Sequence, residues 1–206
     1  MLTKDELIEI SNEIRYNNLE IIDPWNNEKG HINNCLRIYK YKNQYAIKCA
    51  HTKLDQNLIH CKTIENGYYM TKDLKYDGII KNHGFYSNDN VTFCVYDYIP
   101  TTLKNVLHKL DHQEKNRILS DARNIIFYLW KNQISHYDLT TKNILLKNNI
   151  YPVLIDFQIA KRTVQNSIFE LCTDMCQQKN LMIPNCCGTC RAKSYQDLKE
   201  EIWKKN

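Results

Sequence analysis

The stretch from Ser135 to Asn143, together with the tripeptide Asp-Phe-Gln that begins at Asp156, constrains this chain more than any other feature. The stretch reads Ser-His-Tyr-Asp-Leu-Thr-Thr-Lys-Asn, and Asp156 follows Asp138 by eighteen positions. Between them, two apolar runs flank the polar turn 147–149, a pattern that predicts a β-hairpin. Two carboxylates and an amide are therefore expected on neighbouring loops joined by that hairpin.

This pattern resembles the catalytic loop and the metal-binding loop of protein kinases. The family pattern is His-Arg-Asp-Leu with an Asn five residues after the Asp, followed later by Asp-Phe-Gly. The positions that match are His136, Asp138, Leu139, Asn143, Asp156 and Phe157. Two positions depart from the pattern, because Tyr137 replaces the Arg and Gln158 replaces the Gly.

The resemblance implies a role for each matched residue in transferring phosphate from ATP to a hydroxyl group. Asp138 would orient the acceptor hydroxyl and receive its proton; its alternative role is that of a turn or cap residue. Asp156 would chelate the Mg²⁺ that bridges the phosphates, with Mn²⁺ as the other candidate ion, and Asn143 would take a second metal. Lys142 would lie against the γ-phosphate. His136 is expected to be a hydrogen-bonded structural residue and not a base.

The N-terminal half reads as a small β-lobe. The runs 35–41 and 45–50 are rich in aromatic and β-branched residues and are split by the polar turn 42–44, which predicts a hairpin. Its second strand carries Ala46-Ile47-Lys48, similar to the Val-Ala-Ile-Lys of kinases. By that resemblance Lys48 pairs with the nucleotide phosphates and with a Glu on the following helix.

The segment 54–76 has apolar residues three, three and four positions apart, which predicts one face of a helix. Glu65 falls in its middle and is, by resemblance, the partner of Lys48. An exposed helical Glu is the alternative interpretation, with Asp73 or Asp55 as the true partner.

The phosphate-binding loop of the family is poorly represented. Only Gly30 stands where kinases have three glycines, which predicts a looser lid over the phosphates. Two further strands are predicted at 78–86 and 91–98. The second resembles the kinase strand that enters the hinge, so the backbone of Asp97, Tyr98 and Ile99 is expected to contact adenine.

The C-terminal half reads as mainly helical. Apolar stripes predict a short helix at 103–110 and a longer one at 113–132. Only fifty residues follow Asp156, and they contain no Ala-Pro-Glu, so the helical subdomain that docks peptide substrates in kinases is expected to be missing or replaced. The chain is therefore predicted to be a single α+β domain with a two-lobed, kinase-like fold. It would have a small antiparallel β N-lobe plus helix at about 1–98, a truncated, mainly helical C-lobe at about 101–170, and a Cys-rich segment at about 171–206.

Composition narrows the functional classes. The net charge of +5 is spread along the chain with no basic block interleaved with aromatics, so nucleic acid binding is disfavoured. No run approaches the roughly 18 apolar residues of a membrane span, and residues 1–6 lack the apolar core of a signal peptide. We expect a cytoplasmic protein, with the cytoplasm of a host cell as one such setting.

Five of the nine cysteines crowd into residues 172–190. Four of them have spacings compatible with a Zn²⁺ site, namely Cys172, Cys176, Cys187 and Cys190. Buried or free thiols are the favoured interpretation, and zinc is the alternative.

The favoured function is that of a minimal, atypical protein Ser/Thr kinase, similar to Bud32-type and RIO-type enzymes and to short viral or bacterial-effector kinases. Its partners would be ATP and a protein substrate. Because Tyr137 offers no clamp for a phosphorylated activation loop, activity is expected to be constitutive or to depend on an activating partner protein. A pseudokinase that binds a partner protein and a small-molecule phosphotransferase remain the alternatives.

Overall fold

A computed structural model describes residues 1–22, 36–54, 58–162 and 195–203 of this chain. Within these ranges it contains five α-helices, α1 (Lys4–Arg15), α2 (Ile59–Thr71), α3 (Leu103–Val106), α4 (His112–Lys131) and α5 (Tyr195–Trp203). The strands of the same ranges are β1 (Glu20–Ile21), β2 (Leu36–Tyr41), β3 (Tyr45–His51), β4 (Asn82–Ser87), β5 (Val91–Asp97), β6 (Ile134–Ser135), β7 (Ile144–Lys147), β8 (Tyr151–Leu154) and β9 (Lys161–Arg162). Short 3₁₀ turns span Leu107–Lys109, Thr141–Asn143 and Phe157–Ile159.

The chain divides into two compact units, which confirms a two-lobed α+β architecture. The first unit holds 1–73 and 80–98, and the second holds 74–79 and 99–206. None of the helices in the described ranges combines the length and the hydropathy needed to cross a membrane.

The first unit is built on a five-stranded antiparallel sheet in the order β1-β2-β3-β5-β4. The predicted hairpin is confirmed as β2 and β3, which pair from Leu36 opposite Ala50 to Tyr41 opposite Tyr45. Lys42 and Asn43 adopt φ values of 49° and 56° in the connecting turn. Asn tolerates this left-handed conformation better than most residues, so the turn closes at little cost.

Helix α1 covers one face of this sheet. Thr3 and Glu6 form a reciprocal capping box at its start, which satisfies two backbone donors that the helix itself leaves unpaired. Ile10 and Ile14 are fully buried against side chains of the central strands, such as Ile47. This helix was not predicted, although the spacing of Leu7, Ile10 and Ile14 is that of one helix face.

Helix α2 packs against the other face of the sheet, which is formed by the alternate residues of β3 and β5. Cys61 and Ile64 are buried with Ala50 and Cys94, so the sheet has a helix on each face. The predicted helix 54–76 was too long at both ends. Leu58 has a φ of 53°, which a right-handed helix excludes, and the chain after 73 belongs to the second unit.

The prediction of one strand over 78–86 was wrong at its start. Strand β4 begins at Asn82, whereas Ile79 forms a parallel bridge with Leu154 of β8 and the Gly78 carbonyl accepts from the Leu154 N–H at 2.8 Å. Residues 78 and 79 therefore pair with β8 instead of β5, and Gly78 lies so close to Ile125 of α4 that a Cβ atom would meet its side chain at 2.4 Å. Residues 74–79 therefore belong to the second unit, although the segments on both sides of them belong to the first.

The second unit is dominated by helices in the described ranges. The long predicted helix is confirmed as α4, whose buried stripe is Ile118, Leu119, Ala122, Ile125 and Leu129. The short predicted helix is α-helical only over Leu103–Val106 and continues as a 3₁₀ turn, because only Leu103 of its stripe is buried. The predicted hairpin is confirmed as β7 and β8, with Asn148 and Asn149 at positive φ in its turn.

Candidate active site

The predicted catalytic loop runs from the end of β6 to the start of β7, and Asp156 follows β8 directly. Strands β7 and β8 pair antiparallel from Ile144 opposite Leu154 to Lys147 opposite Tyr151. The backbone N–H of Ile155 donates to the carbonyl of Asn143 at 2.9 Å, so the two loops stay joined at the open end of the hairpin. The structure therefore brings together the two carboxylates and the amide that the sequence pattern predicted would be neighbours.

His136 lies at the centre of a hydrogen-bond network that ties the two loops to each other. Its Nε2 is 2.8 Å from the carbonyl oxygen of Ile155, and the backbone N–H of Asp138 approaches its Nδ1 at 3.3 Å. A carbonyl can only accept and an N–H can only donate, so Nε2 carries the proton and Nδ1 is bare. The ring also meets Phe157 edge-on at 4.7 Å.

Burial lowers the pKa of His136 below its usual value of 6.5, although the Ile155 carbonyl and the nearby Asp156 and Asp138 charges oppose that effect. The neutral ring satisfies both hydrogen bonds, whereas a proton on Nδ1 would break the bond from Asp138. His136 is thus a neutral structural residue of the loop, as the sequence predicted.

Asn143 fixes the orientation of Asp138. Its side-chain Nδ2 donates to the Asp138 carbonyl at 2.9 Å and to the carboxylate oxygen Oδ2 at 2.7 Å. Asn143 itself is buried, whereas Asp138 is half-exposed. Asn143 thus holds the Asp138 carboxylate through Oδ2.

The other end of the Asn143 amide is the feature of this site that points to a metal. Its Oδ1 is buried and has no hydrogen-bond partner among the described residues. An unpaired buried acceptor costs about 1–3 kcal/mol, and a cation would remove that cost. Amide and carboxylate oxygens are ligands that Mg²⁺ prefers, and Asp156 follows β8 on the adjoining loop. The donor set therefore fits a hard divalent cation, although clusters of three His, Cys, Asp or Glu side chains suited to a metal are absent from the described ranges.

Each of the two loops contains one residue with a strained backbone conformation. Tyr137 and Asp156 adopt φ values of 68° and 66°, in the left-handed region that non-glycine residues seldom occupy. Such conformations persist where surrounding contacts enforce them, and they cluster at functional sites. Tyr137, which stands where kinases have Arg, has its ring 5.7 Å from the Nζ of Lys161.

Glu201 of α5 contacts the catalytic loop, and no sequence motif predicted it. Its carboxylate accepts from the backbone N–H of Thr141 at 3.1 Å and from the Thr141 hydroxyl at 2.7 Å. Lys142, the next residue, is half-buried in the 3₁₀ turn Thr141–Asn143. Leu198 and Ile202 are buried and four residues apart, a spacing that suits one face of an amphipathic helix. This spacing does not indicate that the helix contacts Thr141, sixty residues earlier in the chain.

In the first unit, Lys48 lies in the middle of β3, half-buried and directly opposite Cys94 of β5. Burial raises the pKa of the Cys94 thiol to about 12, and the nearby Lys48 charge acts in the opposite direction. Glu65 lies in the middle of α2 as predicted, but on its exposed side. Asp73, the alternative partner considered for Lys48, is exposed, and its Oδ2 lies 3.3 Å from Nζ of Lys72.

The predicted adenine-contacting segment lies at the end of β5. The backbone N–H of Asp97 donates to the Lys81 carbonyl at 3.2 Å, and that of Tyr98 donates to the Gln44 carbonyl at 2.9 Å. The Asp97 carboxylate is 2.6 Å from Nε2 of His83. Of the three predicted residues, Asp97 and Tyr98 belong to the first unit and Ile99 to the second.

Several predicted residues lie outside the described ranges. They are Gly30, the alternative partner Asp55, and the cysteines Cys172, Cys176, Cys187 and Cys190. The predictions of a phosphate-binding glycine and of a zinc alternative therefore remain predictions.

Comparison with known proteins establishes the class. Residues 28–204 match the model of the protein kinase domain, and this chain belongs to that family. The predicted resemblance is thereby confirmed.

The chain is also similar to parts of several curated protein kinases. The chain is 32% identical over 87 residues to serine/threonine-protein kinase D of Synechocystis and 28% identical over 94 residues to serine/threonine-protein kinase cds1 of Schizosaccharomyces pombe. It is 26% identical over 146 residues to the probable serine/threonine-protein kinase samkC of Dictyostelium discoideum. These matches cover 42%, 44% and 67% of this chain but only 17%, 20% and 16% of those proteins.

Proposed function

We propose that this chain is a minimal, atypical protein Ser/Thr kinase that uses Mg·ATP. The observation that carries the proposal is the buried Asn143 amide, which holds one oxygen of Asp138 while its own Oδ1 lacks a partner among the described residues. One side chain thereby orients the base and presents a ligand to a cation.

The chemistry follows from the positions of these atoms. Asp138 Oδ2 is held by Asn143, so Oδ1 would receive the proton of a substrate hydroxyl as its oxygen bonds to the γ-phosphorus. The bond from that phosphorus to the bridging oxygen of ATP would break, and ADP would leave with that oxygen. Asn143 and Asp156 would hold Mg²⁺, which when bound neutralises charge on the phosphates.

The remaining predicted contacts complete this proposal. Lys142 would lie against the γ-phosphate, and Lys48 would pair with the other phosphates. The backbone from Asp97 to Ile99 would contact adenine. The serine/threonine specificity rests on the names of the relatives, and those names also favour a protein substrate over a small molecule.

A pseudokinase that binds a partner protein is the second candidate. The exposed position of Glu65 favours it, because the family pairs this residue with Lys48 and the pair stabilises nucleotide phosphates. The replacement of Gly by Gln158 points the same way. Against it stand Lys48, Asp138, Asn143 and Asp156, each of which keeps the residue type that transfer requires.

Transfer of labelled γ-phosphate to generic Ser/Thr substrates separates the two candidates. We expect the wild-type protein to phosphorylate serine or threonine, and Asp138→Asn to lower the rate by about 10² to 10⁴, which is the usual contribution of a proton acceptor. Asp89→Asn is the matched control, because Asp89 is an exposed residue of the β4–β5 turn and the same charge is removed.

Each contrary result has a separate meaning. Transfer that survives Asp138→Asn would assign the chemistry to another residue or to a contaminant. A wild-type protein that binds ATP but transfers no phosphate, even with cell extract present, would establish the pseudokinase.

A further inference from the structure

Glu201 satisfies a backbone donor that the catalytic loop leaves unpaired. The first N–H groups of any helical turn lack partners within that turn. In the turn Thr141–Asn143 the preceding residue, Thr140, makes no side-chain cap, as far as the described residues go. Glu201 fills this role from α5, with one carboxylate oxygen on the Thr141 N–H and the other on its hydroxyl.

The Thr141 end of this contact is buried, and the contact is geometrically specific. Thr141 is 1% exposed, and both neighbours of Glu201 on the inner face of α5, Leu198 and Ile202, are buried. Hydrogen bonds to an ionised carboxylate are roughly twice as strong as neutral ones. Two such bonds to a single residue fix both its position and its orientation.

Thr141 lies between the two groups that do the proposed chemistry. It follows Asp138 by three residues and precedes Asn143 by two, and the Asn143 N–H donates to the Thr140 carbonyl at 3.0 Å. A shift of Thr141 would therefore rotate the Asn143 side chain. That rotation would move Oδ1 away from a metal and release Oδ2 of Asp138 at the same time.

From this chain of contacts we infer that Glu201 is a positioning residue, which acts through Thr141 to hold the Asn143 amide in its metal-binding orientation. The inference rests on one part of the proposed function, the binding of a metal by Asn143, and does not depend on phosphate transfer. Groups that orient metal ligands typically contribute 10- to 100-fold to metal affinity or activity.

The test measures Mn²⁺ affinity in the presence of ADP by water-proton relaxation, together with deuterium exchange at the Thr141 amide. Glu201→Ala should weaken Mn²⁺ binding about tenfold or more and speed exchange at Thr141. Glu201→Gln should stay within about threefold of wild type, because its amide oxygen can accept from the N–H and its NH₂ can donate to the hydroxyl. Glu200→Ala is the matched control, since Glu200 is exposed on the same helix.

Three results would overturn the inference. The first is unchanged Mn²⁺ affinity in Glu201→Ala despite faster exchange at Thr141, and the second is exchange that does not change at all. The third is a wild-type protein that binds no Mn²⁺. A wild-type protein that binds Mn²⁺ without transferring phosphate would reject the proposed kinase activity alone, so the two failures are distinguishable.

A second variant covers the case in which Glu201→Ala does not fold. Thr141→Val replaces the hydroxyl with a methyl group of similar size and so removes the hydrogen bond to Glu201, which should weaken Mn²⁺ binding several-fold. Thr141→Ser keeps the hydroxyl and should match the wild type. Equal affinities of the Val and Ser variants would contradict the inference.

Discussion

At the scale of single residues, His136 and Asn143 each carry two polar atoms, and the partners of those atoms determine the structure of the site. His136 uses one ring nitrogen for Ile155 and the other for Asp138. Asn143 uses its NH₂ group for Asp138 and leaves its oxygen without a partner among the described residues. The same loop therefore contains one side chain whose two ring nitrogens are both hydrogen bonded and another whose buried oxygen has no partner among the described residues.

The neutral state of His136 predicts a pH dependence of stability. The unfolded chain binds a proton on this ring below about pH 6.5, whereas burial lowers the pKa of the folded ring below that value. The unfolded state then binds more protons, so the free energy of unfolding should fall as pH drops below about 6.5. His136→Gln, which keeps a donor for Ile155 without a titrating ring, should lack this component.

Two measurements check this prediction. Urea unfolding of both proteins between pH 7.5 and pH 5, a range set by the usual value of about 6.5, gives the difference in slope. The NMR titration of the His136 ring should have a midpoint below 6.5. A midpoint at or above that value would contradict the assigned tautomer and its hydrogen bonds.

Local sequence was a good guide to residues that act within one loop and a poor one to residues that meet across the fold. Asp138, Asn143 and Asp156 stand in a fixed spacing around one hairpin, so their proximity could be predicted. Glu201 meets Thr141 only because α5 docks beside the catalytic loop, and no local pattern encodes that docking. The sequence likewise did not decide whether Glu65 faces the sheet or solvent, because that depends on which residues of α2 are buried.

At the scale of elements, the helices and strands follow their apolar periodicity and the exceptions follow steric contacts. Helix α4 and the two hairpins were predicted because their patterns run for several residues without interruption. Helix α2 and strand β4 were predicted too long, because Leu58 adopts a left-handed conformation and Gly78 is drawn against α4. Helix α1 was not predicted, although its spacing and its Thr3–Glu6 capping box carry the signal.

The close approach at Gly78 predicts a difference between two glycine substitutions. A Cβ atom at Gly78 would meet Cγ1 of Ile125 at 2.4 Å, whereas one at Gly84 would meet a terminal methyl of Leu7 at 3.0 Å. The Leu7 methyl belongs to a flexible side chain, but the Ile125 atom lies close to its backbone. Gly78→Ala should therefore lower the free energy of unfolding by about 1–3 kcal/mol, and Gly84→Ala by less than about 1 kcal/mol.

Urea unfolding of the two variants against the wild type tests the difference. Because both substitutions add one methyl group to a glycine, each serves as the control for the other. Equal losses of stability would show that the segment 74–79 does not pack on α4 as described.

At the scale of the whole molecule, family membership assigns both units to a protein kinase domain. The first unit supplies a sheet with a helix on each face and carries Lys48, and the second supplies the loops that carry Asp138, Asn143 and Asp156. The fold class could be predicted because a few motifs specify it. Substrate and regulation could not, because the segments that set them in kinases are not specified by those motifs.

In the proposed function, Asn143 and Asp156 hold a divalent cation together with ATP. A ligand that binds only the folded state stabilises it by about 2.7 kcal/mol at a hundredfold excess over its Kd. For a chain of this length, that corresponds to a rise in Tm of roughly 5–10 °C. The measurement is the Tm with ATP alone and with Mg·ATP, for the wild type, Asp156→Asn and the control Asp89→Asn.

We expect a rise in Tm that needs Mg²⁺, that is lost in Asp156→Asn and that persists in Asp89→Asn. An unchanged melting curve of the wild type at millimolar Mg·ATP, a concentration well above ordinary micromolar affinities, would contradict metal-dependent ATP binding at this site, and so would a rise that Asp156→Asn retains in full.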